Sequence, residues 1–235
     1  MNRLFTFGCS FTKYFYPTWA DILGLGYDVY DNWGREGAGN HFILYSLSEC
    51  VARNKISKDD TIFIMWTSIA REDRFIKGKW VTEGSVYNSS YTKEMITNYT
   101  DPEGYLLTNM SIIYATEQIL KGIGCKYTFM KIVPFFEVDD SHKMLKFDVS
   151  AMENRVASVF GSTIETIENS VFENIYNNEW PSRDDTHPTP MEHYQYLKSI
   201  GIGLSQQQLD YAFEWDNIVA SGDFTFNSNH IPNRF

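Results

Sequence analysis

A serine hydroxyl is a weak nucleophile until a base lies within hydrogen-bond reach and fixed N–H groups face the charge that develops on its substrate. Gly8-Cys9-Ser10 could present such a hydroxyl, at the end of the apolar run Leu4-Phe5-Thr6-Phe7 and just ahead of Phe11-Thr12. A strand that leaves the core and breaks at a glycine lifts one side chain above the sheet. The plainer alternative is a turn serine that satisfies local backbone groups. Far downstream, Asp184-Asp185-Thr186-His187-Pro188 offers a base, His187, and a carboxylate to orient it, Asp184. The bland alternative there is that the two only organise a turn. Thr189-Pro190-Met191-Glu192 reads as a capping box with proline at the first helical position, followed by apolar Tyr194, Leu197 and Ile200 and a stop at Gly201. A helix start therefore anchors the loop, which matters because a misplacement of about 1 Å can cost about a hundredfold in rate.

Two further blocks lie between these ends. Asn32-Trp33-Gly34-Arg35-Glu36-Gly37-Ala38-Gly39-Asn40 follows one apolar run, and Trp66-Thr67-Ser68 follows the run Thr61-Ile62-Phe63-Ile64-Met65. In the order and type of its four blocks the chain resembles the SGNH, or GDSL-type, hydrolase superfamily over roughly residues 3 to 202. The resemblance implies a three-layer α/β/α sandwich with a central, mostly parallel sheet of flavodoxin-like type. It also implies Ser10 as nucleophile, the Asp-x-x-His of Asp184 and His187 as its partners, and the N–H groups of Ser10 and Gly37 as oxyanion donors, with no cofactor. Two positions depart from the family pattern. Cys9 stands where the family usually has an acidic residue, and Ser68 stands where an asparagine normally gives the third oxyanion hydrogen bond. A lost donor costs about 10² to 10³ in rate. Asn40 is a candidate substitute, although as a residue just beyond the glycines it reads more plainly as the cap of the next helix. Trp66, Arg71 and Arg74 are candidate substrate contacts, with solvated or ion-paired arginines as the commoner alternative.

These residues need a frame. Leu4 to Phe7, Tyr27 to Tyr30, Thr61 to Met65 and Tyr127 to Val133 read as buried parallel strands. Phe42, Ile43, Leu47, Cys50 and Val51 recur at helical spacing, as do Ile112, Ile113, Thr116, Ile119, Leu120 and Ile123, the latter closed by Gly122 and Gly124. Alternation of this kind predicts helices on both faces of a parallel sheet, with ligands bound beyond the carboxyl ends of the strands. Ser10, Gly37 and Ser68 all follow such ends, which is a physical reason, separate from the resemblance, to place them in one site. An insertion over about 71 to 106, with Phe75, Trp80, Tyr87, Tyr91, Tyr99 and Tyr105 spread through it, is expected to overhang that site or to form a small core of its own. A second irregular stretch at about 134 to 172 precedes an expected last strand near Val171 to Ile175, and about 203 to 235 reads as a docked helix and extended tail.

The 235 residues are expected to form one domain. A formal charge of −10 disfavours nucleic acid and anionic membranes as partners, since both demand a basic face. No run of about 18 apolar residues predicts a membrane span, and a strand that begins by Leu4 predicts a cytoplasmic protein without a signal segment. Cys9, Cys50 and Cys125 lack metal-type spacing and are read as reduced thiols. The expected function is a serine esterase that removes a small acyl group, such as acetyl, from a glycan or another polar ester, with hydrolysis and acyl transfer both open, as is the oligomeric state. Two rivals stand beside it. Asp139-Asp140-Ser141-His142 repeats the pattern of Asp184 to His187 and would suit a divalent-metal hydrolase, though the first copy reads better as a solvated turn. A carbohydrate-binding or assembly protein that kept the fold and lost the reaction is the other.

Overall fold

In a computed structural model, residues 1–86, 91–135 and 149–222 are described. Tyr87, the Asp139 to His142 copy of the acidic pattern and the tail from 223 onward fall outside them.

Four short apolar runs form one parallel sheet. Strand β1 (Arg3–Phe7) lies between β2 (Val29–Asn32) and β3 (Thr61–Trp66), and β6 (Lys126–Lys131) pairs with the far side of β3, giving the order β2-β1-β3-β6. A parallel bridge from Phe129 to Ile167 adds a fifth position beyond β6. Side chains alternate faces along a strand, so each run feeds two cores. Leu4, Phe63, Met65 and Met130 belong to one, packed with Trp19 and Ile22 of α1 (Trp19–Gly24), Leu197 of α7 (Pro190–Ser199) and Ala212 of α8 (Gln206–Ser221). Phe5, Phe7, Ile62, Ile64 and Phe129 belong to the other, packed with Ile43 and Leu47 of α2 (Asn40–Asn54) and Ile113 and Leu120 of α4 (Pro102–Ile123). A parallel sheet needs both faces covered. The result is the expected three-layer α/β/α arrangement. Cys9, Cys50 and Cys125 are buried free thiols within these cores.

Three elements differ from the sequence reading. Val171 to Ile175, rich in strand-forming types, is not a strand: α6 (Val171–Asn174) forms there because Ser170 and Glu173 make a reciprocal capping box. The stretch from 134 to 172 contains α5 (Val149–Ile164), and the helix read from Ile112 begins well before it, at Pro102 behind the N-cap Asp101. The insertion is regular at its start. Strands β4 (Arg71–Ile76) and β5 (Lys79–Ser85) form an antiparallel hairpin, turned at Lys77-Gly78, both with positive φ, as a two-residue hairpin loop requires. After it comes α3 (Lys93–Tyr99). No helix among the described residues is long and apolar enough to cross a membrane.

Candidate active site

The backbone breaks away from the sheet at Gly8, and the N–H groups of Thr12 and Lys13 both donate to the Cys9 carbonyl, closing one tight turn. Ser10 sits in that turn, beyond the carboxyl end of β1. A side chain at Gly8 would collide with Thr12, because its Cβ would lie 2.0 Å from the Thr12 hydroxyl oxygen, so the turn admits only glycine there. From the other end of the sequence, the loop before α7 brings His187 to the same place, with its Nε2 2.8 Å from Ser10 Oγ. Behind the ring, Nδ1 lies 2.6 Å from Asp185 Oδ1. Hydroxyl, imidazole and carboxylate thus form a continuous hydrogen-bonded chain.

The carboxylate in that chain corrects the sequence reading. Asp184 is exposed, and the His187 ring is bonded by its neighbour instead. Asp185 Oδ1 accepts both the His187 backbone N–H, at 3.0 Å, and the ring N–H. Two residues of separation are what an Asx turn uses, and that turn swings the carboxylate under the ring. Burial works against the charge on Asp185, but the two His187 hydrogen bonds, the imidazole charge and the Tyr14 hydroxyl together hold its carboxyl below the usual range.

Two residues missed in the sequence stiffen this pair. Tyr14 donates to Asp185 Oδ2 at 3.1 Å while its ring stacks on the His187 imidazole, with centroids 4.0 Å apart and planes 16° from parallel. Arg183 donates to the carbonyls of Asp185 and His187, both at 2.8 Å, and its guanidinium pairs with Glu192, the residue that closes the α7 capping box. The loop is therefore tied to the first turn of α7 from within. In the sequence, an arginine just ahead of the paired aspartates is legible only as a charge.

The other candidate residues separate. Asn40 neither caps α2 nor points into open space: the N-cap is Gly39, and the Asn40 amide donates to the Thr67 carbonyl at 3.2 Å and to Asn109 Oδ1 at 2.7 Å while its oxygen accepts from Thr67 N–H. Its amide protons are spent on joining α2, the end of β3 and α4. Trp66 is wholly buried and packs edge-on against Phe129, so it is a core residue rather than a substrate contact. Arg71 donates to the Ala38 carbonyl and lines a cleft of about 610 Å³ with His41, Asp101 and Tyr105, a cleft that does not include Ser10. Arg74 pairs with Glu72 and lies over the Tyr91 ring. Ser68 Oγ accepts from Ala70 N–H at 3.3 Å in a local turn. Gly37 stands in the left-handed region, with φ of 70°, between β2 and α2, and the turn that holds it touches the nucleophile turn through Arg35 N–H to the Gly8 carbonyl at 3.0 Å.

Comparison with solved structures returns lipolytic enzymes and esterases. Two of the similar structures are described as a lipolytic G-D-S-L protein and a GDSL-like lipase. A lipase from a goat rumen metagenome matches with a TM-score of 0.48 and 15% identity, over 86% of this chain and 99% of that one. A member of the lipolytic G-D-S-L family from Veillonella parvula matches with a TM-score of 0.46 and 13% identity, over 84% and 97%. The esterase EstA from Pseudoalteromonas sp. matches with a TM-score of 0.45 and 12% identity, over 85% and 97%. No protein-family model and no curated relative matches the sequence. Among the described residues, no group of three or more His, Cys, Asp and Glu side chains is placed to hold a metal ion.

Proposed function

We propose that the chain is a serine ester hydrolase of SGNH type, acting on a small acyl group, such as an O-acetyl, carried by a glycan or another polar alcohol. The observation that carries this reading is the unbroken chain from Ser10 Oγ through His187 to Asp185. Ser10 Oγ attacks the acyl carbonyl as its proton passes to His187 Nε2; the imidazolium that forms is stabilised by Asp185 and faced by the Tyr14 ring. The tetrahedral oxyanion lies against the N–H groups of Ser10 and Gly37, with the Ser68 hydroxyl as a third candidate donor. His187 returns the proton to the departing alkoxide, leaving an acyl-serine. Water then attacks the acyl-serine as its proton passes to His187, and His187 returns that proton to Ser10 Oγ as the acyl bond breaks and the carboxylic acid leaves.

The test is hydrolysis of p-nitrophenyl acetate in the presence of a chelator. The native protein should turn over, and Ser10→Ala should lose at least about 10³-fold in kcat. Undiminished turnover in Ser10→Ala, or none in the native protein with any short acyl ester, would remove the assignment.

A further inference from the structure

The hairpin β4–β5 grips the turn from Arg35 to Asn40 at four of its backbone groups. Thr82 Oγ1 donates to the Glu36 carbonyl at 2.8 Å, Gly84 N–H donates to the Gly37 carbonyl at 3.1 Å, and Arg71 Nη1 donates to the Ala38 carbonyl at 3.0 Å. Asp73 accepts the N–H groups of Gly39 and Phe42, both at 2.8 Å, one on each carboxylate oxygen, and so caps α2 in place of a local residue. Arg35 in turn donates to the Trp80 carbonyl at 2.9 Å. Asp73 and Thr82 are directly opposite each other in the hairpin ladder, so the two grips come from one cross-strand pair. The contact leaves no room for a side chain: a Cβ on Gly37 would lie 2.0 Å from the Thr82 carbonyl oxygen.

The direction of one peptide follows. In a trans peptide the C=O and the next N–H point to opposite sides. With the Glu36 carbonyl held toward Thr82, the Gly37 N–H of the same plane points away from the hairpin. The turn is itself bonded to the nucleophile turn through Arg35 and Gly8.

We propose that the hairpin is the positioning element of the oxyanion site, with Thr82 and Asp73 as positioning residues that lock the Glu36–Gly37 peptide so that its N–H faces the reacting centre. This rests on the serine esterase reading. A flipped peptide would present the Glu36 carbonyl to a developing negative charge, so the lock acts in the transition state and not on substrate binding.

The experiment pairs acetyl-ester kinetics with labelling of Ser10 by a fluorophosphonate, in which the serine oxygen displaces fluoride and the phosphoryl oxygen takes the oxyanion position. Thr82→Val removes the hydroxyl at nearly constant volume and should lower kcat by about 10- to 100-fold, slow labelling by a similar factor and leave KM within about twofold. Thr82→Ser should restore both rates. Thr82→Ala, free of the added methyl, should show the same split if the valine variant folds poorly. Asp73→Asn, which keeps the shape but offers one acceptor oxygen in place of two, should lower kcat as well. If native protein labels at Ser10 and the Thr82 variants label and turn over at the native rate, or lose only thermal stability, the proposal is overturned while the esterase reading stands. If native protein neither labels nor turns over, it is the esterase reading that falls.

Discussion

Asp184 and Asp185 are neighbours of the same type, and only the reach of their oxygens separates them. Asp185 bonds the histidine twice, whereas Asp184 points outward. Asp185→Asn should therefore lower kcat by about 10³ to 10⁴, since a neutral amide neither stabilises the imidazolium nor fixes its tautomer. Asp184→Asn should leave kcat within about twofold. Acetyl-ester kinetics of the two variants side by side decide the matter, and a loss confined to Asp184→Asn would reverse the assignment. The Asp185 carboxyl is depressed in the folded protein, so what it adds to stability is present above the unfolded value of about 3.9 and is lost only as the pH falls below that, through its folded value. Ser10 and His187 were legible because the glycine break and the capping box mark their backbone positions. Asp185 was not, because the family spacing of three residues and the Asx-turn spacing of two both find an aspartate here. Tyr14 was hidden for another reason: nothing in a sequence shows that an aromatic just past the serine will stack on a ring near the other end of the chain.

At the scale of elements, α7 carries a second histidine that takes no part in the proposed chemistry. His193 is 1% exposed, its Nδ1 has no hydrogen-bond partner among the described residues, and burial, followed by the charges of His187 and Arg183, pushes its pKa down to about 3. In the unfolded chain the same ring titrates near about 6.5. Between those values the unfolded state binds a proton that the folded state refuses, so stability falls as the pH falls. Lowering the pH from 7 to 5 should cost on the order of 2 kcal/mol from this residue alone. Urea denaturation of native protein and His193→Gln at the two pH values checks it: the variant should lose distinctly less on acidification, and equal losses would remove the explanation. The helix that holds His193 was legible from its capping box and proline. The hairpin was not, because β4 and β5 face solvent over much of their length and carry Lys, Glu and Arg in place of an alternating apolar pattern. Val171 to Ile175 misled in the opposite direction, Val171 and Phe172 being buried on a helix turn that Ser170 and Glu173 impose.

For the whole molecule, the strand runs were legible because a sheet covered on both faces writes nearly continuous apolar segments, as Thr61 to Trp66 do. Their division between two cores was not, since it depends on which helices cover which face. The same arrangement fixes when the proposed site comes into being. Its nucleophile follows β1, its base precedes α7, and their hydrogen bond spans 177 positions of sequence. Closing a loop of that length is among the slower entropic steps of a fold, and here it requires α7 to settle against α1 and α8. Esterase activity should therefore be the last property to return on refolding from urea, lagging the recovery of far-ultraviolet ellipticity, and a coincident return would show that the ends dock as early as the sheet forms. A polypeptide emerging from the ribosome would carry Ser10 as an inert hydroxyl, and would acquire a reagent only after the segment through α7 had been made.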